Sequence, residues 1–367
     1  DLKEKEAFME YQHGGDIYSQ KISMDYSVSL NPLGLPEGVK NAVKEAAENC
    51  SCYPDSESRS LTKALAEFWC IPQDTVICGN GAADLIFNLV LALKPGQAVI
   101  PIPTFSEYAQ ALRSVGCRIE EFVMEEKAGF ALDTDKFCRF LEKNGDSLQM
   151  AFLCNPNNPT GLTVPRTGIE RIMQICEDRG ILLVVDECFC EFLDDSSEIS
   201  AVPLIPRYRN LFILKAFTKT YAMAGLRLGY GICRNEALLE RMKQVRQPWP
   251  VSSVAQAAGI AALKEEAYVA DAKMLIEEER RFLREGLESL GFRVWDSQAN
   301  YLFFKDVRRV PERELFQALL EKGILIRSCA NYSGLSGRYY RIGVKSREEN
   351  QKLLNAMKLC LASKEVL

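Results

Sequence analysis

Four polar segments stand out because each follows a run of apolar residues. TVICG (75–79) runs into Asn80-Gly81-Ala82-Ala83 at the start of an amphipathic stretch, and QMAFLC (149–154) runs into NPNNPTG (155–161). ILLVVD (181–186) ends on Asp186-Glu187, and LFILKA (211–216) leads into FTKTYAMAGLRLGY (217–230), which carries Lys219 and Arg227. In open α/β sheets ligands bind beyond the carboxyl ends of the strands, so polar residues there are candidates for chemistry. Gly79-Asn80-Gly81 ahead of a helix offers backbone N–H groups and a positive dipole end to a phosphate. Asp84 stands where the dinucleotide fingerprint G-x-G-x-x-G wants Gly or Ala, which speaks against a dinucleotide. Taken singly, each feature has a plainer alternative: a tight turn, a helix cap for Asp186, a surface lysine for Lys219, an Asn/Pro turn for NPNNPTG.

The elements that must position these residues are readable from the pattern. Between 76 and 233 short apolar runs alternate with longer amphipathic ones, which predicts a mostly parallel α/β sheet. The strands are expected at 75–79, 97–102, 118–124, 149–154, 181–186, 211–216 and 228–233, with helices at 82–94, 107–116 and 166–180 between them. Crossovers of that length are what parallel strands require. Beyond Pro248 and Pro250 a long charged helical stretch (about 253–290) precedes two strand-like runs, 300–305 and 338–344, and a terminal helix. This predicts a smaller α+β lobe. A chain of 367 residues exceeds what one core usually serves, so two lobes are expected on size as well.

Forty-five basic against fifty acidic residues give a net charge of −5, which supplies no positive field for nucleic acid or anionic lipid. No run reaches the ~18 apolar residues of a membrane span, and the first residues, DLKEKEAFMEYQ, lack a hydrophobic signal core. Thirteen cysteines, an odd number, are scattered through apolar segments as buried thiols of a reducing compartment would be, so a cytoplasmic location is expected. The close pairs are C-x-C (Cys50/Cys52 and Cys188/Cys190) and there is one histidine, His13, so no metal site is expected.

Together, at these spacings, the segments resemble the fold-type-I pyridoxal phosphate enzymes, the aspartate aminotransferase superfamily, over nearly the whole chain. The resemblance implies a large cofactor-binding domain (50–250) with a mixed seven-stranded sheet and a small C-terminal α+β domain (251–367). Residues 1–49 would form an N-terminal arm and part of the small domain. It implies a homodimer with sites at the interface. Pyridoxal phosphate needs a lysine for its aldehyde, an acid facing its ring nitrogen and donors for its phosphate. By the resemblance, Lys219 is the Schiff-base lysine, Asp186 the ring-nitrogen partner, Asn158 the amide facing the ring hydroxyl oxygen O3′, and Phe105 of PTFSEY the ring that stacks on the cofactor. Gly81, Ala82, Ala83, Thr218 and Arg227 match the phosphate cradle, and Tyr53 of CYPD matches a tyrosine contributed across the dimer. Many relatives have D-E-A-Y where this chain has Asp186-Glu187-Cys188-Phe189. A phenyl ring cannot make the tyrosine's hydrogen bond, which leaves more of that task to Asn158.

Three flanking blocks, HGGDIY (13–18), YSVSLNPLG (26–34) and ILIRSCANYSGLSGRYYRIGVKS (324–346), resemble the L-threonine O-3-phosphate decarboxylases of cobalamin biosynthesis. Histidinol-phosphate aminotransferases are the next resemblance, and a non-catalytic regulator with a PLP-fold shell is a remote alternative. A phosphorylated amino acid brings a carboxylate and a phosphate, so the site needs fixed cations beyond those that hold the cofactor. Arg327 and Arg341 are the expected cations, with Asn31 and His13 as further substrate-binding donors. His13, in a Gly-Gly hinge, reads as a lid residue on the substrate phosphate.

Overall fold

The computed structural model describes residues 13–308 and 311–362. Seven strands form the central sheet: β1 (Val76–Gly79), β2 (Gln97–Ile102), β3 (Arg118–Val123), β4 (Met150–Cys154), β5 (Leu182–Asp186), β6 (Leu211–Ala216) and β7 (Gly229–Ile232). Their spatial order is β1-β7-β6-β5-β4-β2-β3, and only β7 runs against its neighbours, so the sheet is mixed. Every expected strand is present, within a residue at each end. Helices α1 (Ala82–Leu93), α2 (Ser106–Ser114), α3 (Thr134–Asn144) and α4 (Arg166–Arg179) fill the crossovers between strands.

Both faces of the sheet are covered, and the strand sequences show why. In β5, Leu182 and Val184 join the apolar cluster that holds Leu85, Ile86, Leu89 and Leu112 of α1 and α2. Leu183 and Val185 join the opposite cluster with Phe137, Leu141, Ile169 and Ile172 of α3 and α4. Alternate side chains point to opposite faces, so a strand buried on both sides reads as a continuous apolar run. The central strands must therefore end abruptly where polar residues begin, which fixes the level of the cleft.

The long helical stretch expected over 253–290 is two helices, α5 (Ser253–Ala262) and α6 (Glu266–Ser289). Glu265 adopts φ −93° and ψ 51°, outside helical geometry, and interrupts the ladder. The two pieces serve different cores. Ala255, Ala258 and Ala262 of α5 pack with Val39 and Leu61 of helices Glu37–Ala47 and Arg59–Trp69 against the central sheet. The apolar cluster on that face thus runs across the positions 49/50 and 250/251. In α6, Ala272 and Ile276 belong to the cluster on the other face of the sheet, whereas Leu283 and Leu287 belong to the C-terminal lobe.

That lobe contains a four-stranded antiparallel sheet of β8 (Arg293–Val294), β9 (Tyr301–Lys305), β10 (Arg327–Ser328) and β11 (Tyr339–Gly343), in the order β10-β11-β9-β8. It is backed by α7 (Arg347–Ala362), with Leu353 and Met357 buried beside Leu302, Phe304 and Ile342. The N-terminal segment joins it: Met24 and Asp25 pair in parallel with Ile324 and Leu325.

Gly231 of β7 has no room for a side chain, since a Cβ there would lie 2.2 Å from the ring of Phe212, which is fully buried on β6. Gly231→Ala therefore overpacks the sheet and is expected to cost about 1–3 kcal/mol, read as a lowered urea midpoint with an unchanged m-value.

Candidate active site

Asp186, Lys219, Asn158, Phe105 and Gly81 all follow the carboxyl ends of parallel strands, so the fold brings them to one edge of the sheet. Asp186 is buried. Its Oδ1 accepts the Cys188 amide at 3.0 Å and its Oδ2 accepts the Tyr108 hydroxyl at 2.6 Å. Among the described residues no lysine or arginine pairs with it. Burial pushes its carboxyl pKa up, against the pull of those hydrogen bonds.

Two lysines sit four residues apart at the end of β6, and the structure treats them in opposite ways. Lys215 is fully buried between Glu187 (2.9 Å) and Glu191 (2.6 Å), with its ammonium over the Trp69 ring. Its pKa is held well above the usual value by those carboxylates, against the cost of burial. Lys219 has no carboxylate partner among the described residues. Burial, reinforced by the Arg341 and Arg227 guanidinium charges, lowers its pKa to about 8. Its amine lies 5.6 Å from the centre of the Phe189 ring, so the residue that replaces the common tyrosine presents an apolar face to it.

Asn31 holds the turn that carries this lysine. Its backbone N–H donates to the Lys219 carbonyl (3.1 Å), its side-chain amide donates to the Thr220 carbonyl (2.8 Å), and its Oδ1 accepts the Leu33 N–H (3.0 Å). Asn31 was expected as a donor to substrate; the structure engages its side chain with the backbone.

Gly81 precedes α1 with φ +87°, and a Cβ there would lie 2.5 Å from Nη2 of Arg227. The N-terminus of α1 at Ala82 and Ala83 opens beside that guanidinium, which donates to the Ala224 carbonyl (3.2 Å). Thr218, one residue before Lys219, is buried. Phe105 meets Tyr108 edge to face at 5.5 Å. Together with His13, Arg327 and Tyr332 it lines a cavity of about 1660 Å³. Tyr53 lies apart from this group within the single chain: it is 78% exposed and stacks on Trp249 at 4.2 Å.

Arg327 and Arg341 are direct cross-strand partners on β10 and β11. Both are buried, and among the described residues neither has an acidic partner. Arg327 donates to Asn331 Oδ1 (2.9 Å) and lies over the Tyr332 ring. Arg341 donates to Asn158 Oδ1 (2.5 Å) and to the Ser27 carbonyl (2.8 Å), lies over the Tyr301 ring, and keeps a buried Nε without a partner. Tyr332 also donates to Asn158 Oδ1 (3.2 Å), so what Asn158 has left for a ligand is the N–H of its amide. His13 Nδ1 lies 2.6 Å from Glu107 Oε1.

Tyr108, Glu107 and Tyr332 were not singled out from the sequence. Tyr108 and Glu107 lie in the PTFSEY segment that pointed to Phe105, and only the fold shows that the first turn of α2 turns them toward Asp186 and His13. Tyr332 lies in the same block as Arg327.

These residues fit pyridoxal phosphate. A desolvated carboxylate without a cation suits a protonated ring nitrogen, a lysine amine brought down to about 8 suits an aldehyde, and a glycine-lined helix N-terminus beside Arg227 suits a phosphate. Comparison with known proteins agrees. The model of the family "Aminotransferase class I and II" matches residues 21–357. The chain belongs to this family. It is 36% identical over 355 residues to threonine-phosphate decarboxylase of Salmonella typhimurium, covering 94% of this chain and 95% of that one. It is 34% identical to histidinol-phosphate aminotransferase of Symbiobacterium thermophilum, covering 90% and 88%. The crystal structure of histidinol-phosphate aminotransferase from Clostridium acetobutylicum superposes with a TM-score of 0.85 at 30% identity, covering 93% of this chain and 99% of the other.

In the protein freed of cofactor, acylation of Lys219, followed by peptide mass, should rise with pH through about 8. Arg341→Met removes a positive neighbour and so should move the curve to higher pH. An unmoved curve would contradict the assigned electrostatics.

Proposed function

We propose that this family member is a pyridoxal-phosphate-dependent decarboxylase that converts L-threonine O-3-phosphate to (R)-1-amino-2-propanol O-2-phosphate and CO₂. The observation that carries the reading is the Arg327–Arg341 pair: two buried arginines in cross-strand register, their guanidinium groups held by neutral oxygens, with no acidic partner among the described residues. Such a pair calls for a ligand with more than one negative charge. The 36% identity to a threonine-phosphate decarboxylase over almost the whole of both chains supports the choice of reaction.

When bound, the cofactor supplies an aldehyde that condenses with amines and a ring that takes up the electron pair left when a bond to Cα breaks. Asp186 holds the proton on the ring nitrogen, oriented by Tyr108 and the Cys188 amide. Asn158 donates its amide N–H to the ring oxygen, Phe105 stacks on the ring, and Gly81, Ala82, Ala83, Thr218 and Arg227 bind the cofactor phosphate. Arg341 orients the substrate carboxylate, while Arg327 and His13 bind the substrate phosphate. Arg341 already directs two terminal nitrogens at Asn158 and Ser27, which limits its grip on the carboxylate. That is what loss of the carboxylate as neutral CO₂ requires, because tight ground-state binding of the charge would resist its departure. Lys219 then returns a proton to Cα. Asn31 positions Lys219 by holding the turn around it.

In this reading the enzyme works as a homodimer in which the exposed Tyr53 reaches the phosphate site of the second copy. A cytoplasmic location is supported by ten buried free thiols and three exposed ones. Among the described residues no helix is long and apolar enough to cross a membrane. The histidinol-phosphate aminotransferases, which align over nine-tenths of the chain, support a second reading as an aminotransferase.

Incubation with L-threonine O-3-phosphate should release one CO₂ per amine formed, without added keto acid, while the bound cofactor stays in its aldehyde form. Keto-acid-dependent turnover without CO₂ would reject the decarboxylase. Arg341→Ala should lower kcat/KM by tens to hundreds of fold, about 2–4 kcal/mol, and unchanged kinetics would mean that the substrate binds elsewhere.

A further inference from the structure

Glu107 is a buried acid in the first turn of α2 that the mechanism above does not use. Its charge is felt at Asp186, Lys219 and Tyr332, and Tyr332 also feels Arg327 and Arg341, so Glu107 belongs to the same cluster of charges as those arginines. Its ion-pair partner is nevertheless neither arginine. It is the half-exposed ring of His13, at 2.6 Å, with the Ser106 hydroxyl donating to its other oxygen at 3.1 Å. His13 is followed by a tightly seated hinge. A Cβ on Gly14 would lie 2.5 Å from the Ser27 carbonyl oxygen, and Gly15, at φ +88°, donates its N–H to Ser27 Oγ at 2.7 Å. The Ser27 carbonyl is also the acceptor of Arg341 Nη2. The strap that carries His13 is therefore pinned at one end to the residue that holds Arg341 and at the other to Glu107.

We propose that Glu107 is a positioning residue: it docks the His13 ring at the mouth of the cleft through Nδ1, so that Nε2 is left for the phosphate of the substrate, and spares Arg327 and Arg341 an internal counter-ion. The inference rests on the decarboxylase reading for the identity of that substrate. Engaged by His13, Glu107 is held in a contact other than an ion pair with Arg327 or Arg341, and the contact contributes a cation to the mouth of the cleft. The groups that set the charge on His13 are Glu107 on α2 and Arg327 on β10, while Asp16, Arg113, Glu121 and Arg313 line the same cavity. The hydrogen bond to Glu107 raises the His13 pKa above its usual 6.5, against burial and the Arg327 charge. The cationic contact is thus present at low pH and is lost as pH rises through that raised value.

His13 is the only histidine in the sequence, so its titration can be read without assignment. The experiment is NMR of the histidine-labelled, cofactor-loaded protein without substrate, in wild type and Glu107→Gln, beside kcat/KM for L-threonine O-3-phosphate at one pH between the two midpoints and one below both. The expected wild-type midpoint lies above 6.5 and falls in Glu107→Gln, which keeps an acceptor oxygen but loses the charge. At a pH between the two measured midpoints Glu107→Gln and His13→Gln should each lose about tenfold in kcat/KM. Below the lower midpoint Glu107→Gln should recover part of that loss, because its histidine protonates again, whereas His13→Gln should not. A wild-type midpoint at or below 6.5, equal midpoints in the two proteins, or a Glu107→Gln loss independent of pH would overturn the proposal. If Glu107→Gln does not fold, the wild-type midpoint alone decides. Absence of CO₂ from the wild-type enzyme would refute the reaction instead, and would leave the titration without substrate as an independent test of the Glu107–His13 contact.

Discussion

Two arginines in cross-strand register, both buried, leave two desolvated positive charges in one small sheet, a costly arrangement unless a ligand of opposite charge answers them. Arg327 and Arg341 are held in that arrangement, buried, by Asn331, Asn158 and the Ser27 carbonyl, all of them neutral. Asp186 is the counterpart of opposite sign, a buried carboxylate whose partners are a phenol and a backbone amide. Charges of both signs are thus buried without pairing with one another among the described residues. Neutral hydrogen-bond partners fix the geometry of each, and under the proposed function the opposite charges come from a protonated ring, a phosphate and a carboxylate. The architecture serves this separation: strand ends hold Asp186 and Lys219, and the C-terminal lobe brings the arginines from its own sheet.

The contrast between Lys215 and Lys219 shows how local packing assigns roles to one residue type. Lys215 points into the fold, where Glu187 and Glu191 keep it cationic, and removal of Lys215 would leave the fully buried Glu187 carboxylate without its cation. Glu187 also accepts from the Ser200 hydroxyl and is adjacent to Asp186, so this ion cluster stiffens the two strand ends that carry the cleft. Lys219, one turn later, has lost water without gaining a carboxylate, and its amine is correspondingly more nucleophilic at neutral pH.

Strand positions were readable from the sequence because strands buried on both faces are apolar throughout and end where polar residues begin, as at Asp186 and Asn155. The helical stretch after Pro250 was not, because its break at Glu265 lies between two runs of good helix formers and arises from the divergence of two cores. Among the site residues, those at strand ends were accessible to sequence reasoning because their spacing from the apolar runs is local. Tyr108 and Glu107 depend on how α2 is rotated, which no local spacing specifies. Asn31 was expected as a donor to substrate; whether its amide faces a ligand or the Lys219 turn depends on a contact across almost 190 residues.

The most direct measurement is borohydride reduction of the purified protein after loading with pyridoxal phosphate, with fragment masses resolving the segment from 215 to 219. The account predicts a single cofactor-derived increment on Lys219 and none on Lys215. An increment on Lys215, or none on either, would contradict it.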